Sequence, residues 1–111
     1  MKLTIDFGDP VIAEEEVFQI LPTDLNDFYA GATDFDKNNI FFMLLTSLHL
    51  YEDLEDKGRA AHLSFLAAYY LFIALTPPGS CLLALYYIKK AIALNDTAEY
   101  RQWLALMEKG N

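Results

Sequence analysis

The 111-residue chain is poor in the residues that build most catalytic and cofactor sites. It has one cysteine, Cys81, so no disulfide can form within the chain; its position at the start of an apolar helix predicts a buried, unreactive thiol. The five glycines are scattered and form no phosphate-binding loop. No serine or cysteine stands with histidine and aspartate in a recognisable nucleophile motif. We therefore predict a non-enzymatic protein with no cofactor and no bound metal.

Basic residues are also scarce, since 8 Lys and Arg face 16 Asp and Glu and give a net charge of −8. The imbalance lies in residues 1–58, which carry three lysines and thirteen acidic residues; residues 59–111 carry five basic and three acidic residues. Nucleic-acid binding needs basic surface to meet phosphates, so we predict no nucleic-acid partner. The acidic half could instead steer a basic protein partner.

The sequence pattern predicts neither a signal peptide nor a membrane-spanning helix. Residues 1–6 lack the apolar core of a signal peptide and acquire an acidic residue early, which predicts a cytoplasmic protein. The most apolar stretch, residues 59–94, is cut by Thr-Pro-Pro-Gly-Ser at 76–80. Each half is shorter than the about 20 residues that a membrane-spanning helix needs, so we predict no membrane association.

Apolar residues are abundant instead, at 54% of the chain, and their spacing is mostly helical. We predict an all-α fold, a small helical bundle with helices over 24–30, 37–57, 59–75, 80–95 and 97–109. Gly58 is the expected C′ residue of the second of these. Residues 1–8 alternate, which predicts a strand or, equally, an extended arm over 1–10 lying on the helices. Residues 11–21 are ambiguous between a helix that starts after Pro10 and a short strand over 17–21.

The helical hairpin around the break resembles a tetratricopeptide repeat, whose pattern is W-x2-L-G-x2-Y followed by A-x3-F. The residues that carry the resemblance are Leu63, Leu66, Ala67, Tyr70, Ala84, Ile88 and Ala91. The chain departs from the pattern with Leu63 in place of Trp, Ala67 in place of Gly, and a turn about five residues longer than the 34-residue period allows. The resemblance covers about residues 60–107. It implies close helix packing at the small positions and a protein-binding function, with the first helix of the hairpin lining the ligand groove.

These patterns predict one domain over 1–111, made of the arm (1–10), an acidic helical part (24–57) and the tetratricopeptide-like part (59–109). The predicted function is a protein–protein interaction module of the adaptor or chaperone type that binds an apolar helix or strand or forms a homodimer. A domain of this size cannot hide every apolar side chain, and exposed apolar surface marks interaction sites. The predicted partner-binding residues are Phe41, Leu45, Tyr69, Tyr70, Tyr86 and Tyr87.

Tyrosine pairs suit an interface because one end of the ring is apolar and the other can hydrogen-bond. Since adjacent helical residues cannot both point fully inward, we expect one member of each tyrosine pair near the surface. Two alternatives stay open: a small acidic inhibitor or immunity-type protein for a basic partner, and a metal-dependent enzyme or binder that uses His49 and Asp53, which lie four residues apart on one helix face.

Overall fold

Six α-helices and one π-helical segment form the fold in the computed structural model, which describes residues 1–110. Their bounds are α1 Glu14–Val17, α2 Pro22–Gly31, α3 Asp34–Asp53, α4 Lys57–Tyr69, the π-helical segment Tyr70–Leu75, α5 Ser80–Leu94 and α6 Ala98–Lys109. Residues 1–110 contain no strand, so the all-α prediction is confirmed. Residues 1–13 form neither helix nor strand, so the arm is three residues longer than the predicted 1–10. Helix α1 is a single turn inside the ambiguous stretch.

Helix α4 lies at the centre of the fold. It packs against α3 on one side and α5 on another, and α1 contacts it as well. Nine of its residues are buried, including Ala60, Ala61, Ala67 and Ala68 at 0% exposure. Alanine is a strong helix former and lets neighbouring helices approach closely, which explains how one helix accommodates several neighbours. All seven hairpin positions that carry the tetratricopeptide resemblance are 0% exposed.

The small residues of this hairpin should tolerate no added volume. We expect Ala67→Leu and Ala84→Leu each to lower the free energy of unfolding by about 1–3 kcal/mol, because both residues are 0% exposed and a larger side chain overpacks the α4–α5 contact. Urea denaturation measures the effect. Ala105→Leu on the exposed side of α6 is the matched control and should change stability little. Unchanged stability in both buried variants would contradict close packing at these positions.

The predicted end of the long helix at Gly58 is wrong, and the error has a local cause. Gly58 was expected to end α3, but α3 stops at Asp53 with Leu54 as its C-cap, and Gly58 lies inside α4. The turn instead uses Glu55, a non-glycine residue with φ of +58°, and Asp56 caps α4 by accepting a hydrogen bond from the Arg59 N–H. An acidic N-cap immediately after α3 starts α4 before the glycine is reached.

The non-helical arm is anchored to α3 by two buried hydrogen bonds at Ile12. The Ile12 N–H donates to Ser47 Oγ at 2.9 Å, and the Tyr51 hydroxyl donates to the Ile12 carbonyl at 2.5 Å. Ser47 is 0% exposed and its own hydroxyl donates to the Met43 carbonyl at 2.9 Å. Buried backbone groups outside regular structure require such partners, so these two side chains fix where the arm crosses the helices.

We expect Ser47→Ala to lower the free energy of unfolding by about 1–3 kcal/mol, because it leaves the buried Ile12 N–H without its acceptor. Chemical denaturation measures the change. Thr46→Ala is the control: Thr46 is exposed and donates to the Phe42 carbonyl in the same way, so its loss should be close to neutral. Equal effects of the two substitutions would argue against a structural role for the arm contact.

Candidate interaction surface

Helix α5 buries only one narrow stripe of its surface. Ala84, Ile88 and Ala91, spaced by four and three residues, are each 0% exposed and face α4. Four further apolar side chains of the helix are half-buried: Leu85, Tyr87, Ile92 and Leu94. Others are open to solvent, since Leu82 is 75% exposed and Tyr86 58%. Since α5 carries no charge before Lys89, its outer side is an apolar surface that the chain itself does not cover.

Helix α3 continues this apolar surface across a row of ring contacts. Phe42, which is 60% exposed, contacts Phe41 at a centroid distance of 6.0 Å; Phe41 contacts Tyr87 at 6.2 Å, and Tyr87 contacts Tyr86 at 5.0 Å. All three contacts are edge-to-face, the arrangement that aromatic quadrupoles favour. We call these four rings, with Leu45, Leu82 and Leu83, the α3/α5 surface.

An ion pair closes one end of the α3/α5 surface. Lys90 Nζ of α5 lies 2.8 Å from Glu52 Oε2 of α3, and both side chains are about one quarter exposed. The hydrogen bond to Glu52 raises the pKa of Lys90, so the lysine stays charged and the two helix ends stay joined. Burial, followed by the neighbouring Tyr86, raises the pKa of Tyr87, which keeps that phenol a neutral hydrogen-bonding group.

The structure brings four of the six predicted partner-binding residues together on this surface. Tyr86 is exposed, and the half-buried Tyr87 and Phe41 continue the row of rings from it. Leu45 is half-buried one helical turn after Phe41 on α3. Sequence reasoning missed Phe42, Leu82 and Leu83 as surface residues. The signal was present for the two leucines, because Leu82 and Leu83 precede Tyr86 by four and three residues and must share its helix face.

The other two predicted partner-binding residues, Tyr69 and Tyr70, are buried, so the prediction that they contribute to a surface is wrong. They are 6% and 0% exposed, so the expectation that one of the pair reaches the surface fails. Tyr69 packs edge-on against Trp103 at 5.2 Å and its hydroxyl accepts from Asn26 at 2.7 Å. Tyr70 donates to the Lys37 carbonyl, on a different neighbour. A helix with neighbours on several sides can bury consecutive residues, each against a different one.

The prediction that the Cys81 thiol is buried is also wrong, because Cys81 is exposed. Cys81 continues the spacing of the buried stripe, three residues before Ala84. It lies in the first turn of α5, past the end of that stripe, where helical spacing no longer guarantees burial.

His62 of α4 forms a hydrogen bond to the segment between α1 and α2. Its ring Nε2 donates to the Ile20 carbonyl at 2.8 Å, and the ring lies 5.5 Å from Phe18 and 6.2 Å from Phe65. Burial lowers the pKa of His62, against the opposing effect of the Ile20 carbonyl. The histidine is therefore a neutral structural donor, in agreement with its position in the apolar hairpin.

The lowered pKa of His62 makes stability depend on pH. As the pH falls through about 6.5, the unfolded chain takes up a proton at this site before the folded chain does, because the pKa of His62 is lower in the folded state. Stability therefore falls as the pH is lowered, until the folded chain is protonated as well. We expect a slope of at most about 1.4 kcal/mol per pH unit, measured by urea denaturation between pH 7 and 5. His62→Gln should remove this part of the slope. The exposed-site control His49→Gln should keep it, and an unchanged slope in His62→Gln would contradict the assignment.

The metal-binding alternative finds no further ligands at its predicted position. His49 and Asp53 are both exposed on α3. Within residues 1–110, no group of three or more His, Cys, Asp and Glu side chains is arranged to hold a metal ion. Two exposed residues alone do not make the three- or four-ligand site that a protein-bound transition metal uses.

Comparison with known proteins gave no match to the chain among family models, curated proteins or solved structures. Among the described helices, one stretch, Lys57–Leu75, is long and apolar enough to cross a membrane, and 67% of its most apolar portion is buried inside the protein. Such burial is typical of the core helix of a folded domain.

Proposed function

We propose that the protein is a non-enzymatic protein–protein interaction module of the adaptor or chaperone type, which binds its partner through the α3/α5 surface. The observation that carries the proposal is the unbroken row of rings from Phe42 to Tyr86, exposed at both ends. Contiguous exposed apolar surface is rare on a protein that acts alone and marks sites of association. Aromatic residues, and tyrosine in particular, are enriched at such sites.

Contacts within the chain also hold the side chains of the α3/α5 surface in place before a partner binds. The ring contacts and the Lys90–Glu52 ion pair already restrict the side chains that a partner would touch. Association costs less conformational entropy when the side chains of the site are ordered in advance. The phenols of Tyr86 and Tyr87 add hydrogen-bonding capacity that can select a partner among other apolar surfaces.

This surface differs from the groove that the tetratricopeptide resemblance implies. In that family the first helix of a hairpin lines the groove, but here the corresponding helix, α4, is covered by its neighbours. Ser64 of this helix is 0% exposed and donates to the Tyr87 carbonyl at 2.7 Å. The proposed binding surface therefore uses the second helix of the hairpin, α5, together with α3.

Affinity purification from the native host, read by mass spectrometry, tests the function. We expect Phe42→Glu and Tyr86→Glu to lose partners that the unchanged protein retains, because a charge in the row of rings must be desolvated on binding. Leu106→Glu is the matched control, since Leu106 is 49% exposed and lies on α6. Circular dichroism melting verifies that all three variants fold. Identical partners for all variants would refute the proposal.

A second candidate, an acidic inhibitor of a basic protein, has one observation in its favour. A cleft of ≈ 540 Å³ lies between the arm and α2, and three aspartates, Asp24, Asp27 and Asp36, line it. Asp24 is already engaged, because its carboxylate accepts from the Met1 ammonium at 2.8 Å and from the Leu21 N–H at 2.7 Å. This function would be favoured over the first if the Asp27→Asn and Asp36→Asn variants lost partners that the Tyr86→Glu variant retained.

A further inference from the structure

The arm makes few hydrogen bonds with the helices that it crosses. Within residues 1–110, the backbone of residues 2–11 forms no hydrogen bond with a helix. Its only bonds are local, since the N–H groups of Gly8 and Asp9 donate to the Asp6 carboxylate at 2.9 and 3.2 Å. Segments with few backbone hydrogen bonds and little buried apolar surface open at a lower free-energy cost than the rest of a domain. We call residues 2–11 the strap.

A single buried side chain, Leu3 at 8% exposure, anchors the strap to the rest of the fold. Beside it the Met1 ammonium lies 2.8 Å from Asp24 Oδ1, in an ion pair that is partly exposed. At the far end of the strap Phe7 stacks on Phe35, but these rings are 64% and 68% exposed. Solvent-accessible ion pairs contribute little to stability, and exposed rings bury little area. Leu3 is therefore the contact that chiefly holds the strap closed.

The space beneath the strap is not filled. A cavity of ≈ 330 Å³ lies under it, and Ile20 and Met43 form part of the wall on the helix side. Leu3 lines this cavity and also the cleft of ≈ 540 Å³ between the arm and α2, where Phe28 contributes to the wall. Protein interiors are normally close-packed, so a segment over a cavity gains less from packing than a core helix does. Withdrawal of Leu3 would join the two spaces into one groove, lined by Ile20, Phe28 and Met43.

The strap ends at a firm anchor, Ile12. Its N–H and carbonyl are both bound by side chains of α3, Ser47 and Tyr51, and the residue is 6% exposed. The contrast with residues 2–11 is sharp, because both backbone groups of Ile12 are paired with a helix. Rotation of the backbone just before this anchor can therefore move the strap away without disturbing the helices.

We propose that residues 2–11 open as a strap about Ile12 while the helices stay folded, and that this opening controls access to the groove beneath the strap. In the closed form Leu3 occupies the middle of the groove. In the open form Phe28 of α2 and Met43 of α3 become accessible from outside the molecule. Neither the strap nor the groove contains a residue of the α3/α5 surface, so the opening is independent of the proposed function.

Labelling of buried thiols with a disulfide reagent tests the strap. In a Cys81→Ser background, Met43→Cys places a thiol under the strap, and Leu44→Cys, the matched control, places one at a 0%-exposed site that lines neither space. We expect Met43→Cys to react at least about tenfold faster than its global unfolding equilibrium allows. Its rate should change little in low urea, because opening the strap exposes little surface, whereas the rate of Leu44→Cys should follow global unfolding.

Two added substitutions separate opening of the strap from global unfolding. Ala84→Leu weakens the α4–α5 contact, which the open form retains, so it should speed the reaction of Leu44→Cys and leave that of Met43→Cys within about twofold. Leu3→Ala removes the buried anchor and should speed the reaction of Met43→Cys at least about tenfold. Circular dichroism verifies that every variant folds. Two outcomes would overturn the inference: a rate for Met43→Cys that rises with Ala84→Leu as much as that of Leu44→Cys, and one that Leu3→Ala leaves unchanged.

Discussion

The structure depends on the burial of α4, a helix without an acidic residue that neighbours cover on several sides. Its small residues allow close approach, and its large ones, such as Leu63 and Phe65, fill the space between the helices at 0% and 1% exposure. Burial on this scale is the main source of stability in a domain of this size. It also positions α3 and α5, because both helices pack against α4.

Polar side chains of the core bind backbone groups of the irregular segments as well as of the helices. Ser47 and Tyr51 bind both backbone groups of Ile12, and His62 binds the carbonyl of Ile20. Tyr70 binds the carbonyl of Lys37 in α3. An unpaired backbone group in these positions would cost as much as a lost hydrogen bond. A few polar residues in an otherwise apolar interior therefore determine how the arm and the α1–α2 segment pass over the helices.

Helical spacing was enough to predict the all-α fold, because a helix buried on one side repeats its buried positions every three or four residues. The tetratricopeptide resemblance pointed to Ala84, Ile88 and Ala91, and all three are buried. Helical spacing failed at Tyr69 and Tyr70, since the rule that adjacent residues cannot both face inward assumes a single covered face. It failed at Gly58 because a glycine favours a helix end, whereas Asp56, two residues earlier, caps the start of α4. Helix contacts between distant segments, such as Phe41 with Tyr87, leave no trace in local spacing. For that reason four of the six predicted surface residues could be found, but not the surface they form.

Exposed apolar residues elsewhere in the chain differ from those of the α3/α5 surface in what they touch. Phe7 and Phe35 stack on each other at 6.1 Å, and Phe18 packs between His62 and Arg59, with centroid distances of 5.5 and 5.2 Å. Isolated exposed apolar side chains are normal on soluble proteins and need no partner. On α3 and α5, by contrast, the half-buried rings join the exposed ones into one patch, and its single ion pair lies at the edge. An apolar patch with its charge confined to one end is suited to burial against another protein surface, and this distribution of charge is what gives such an interface a direction.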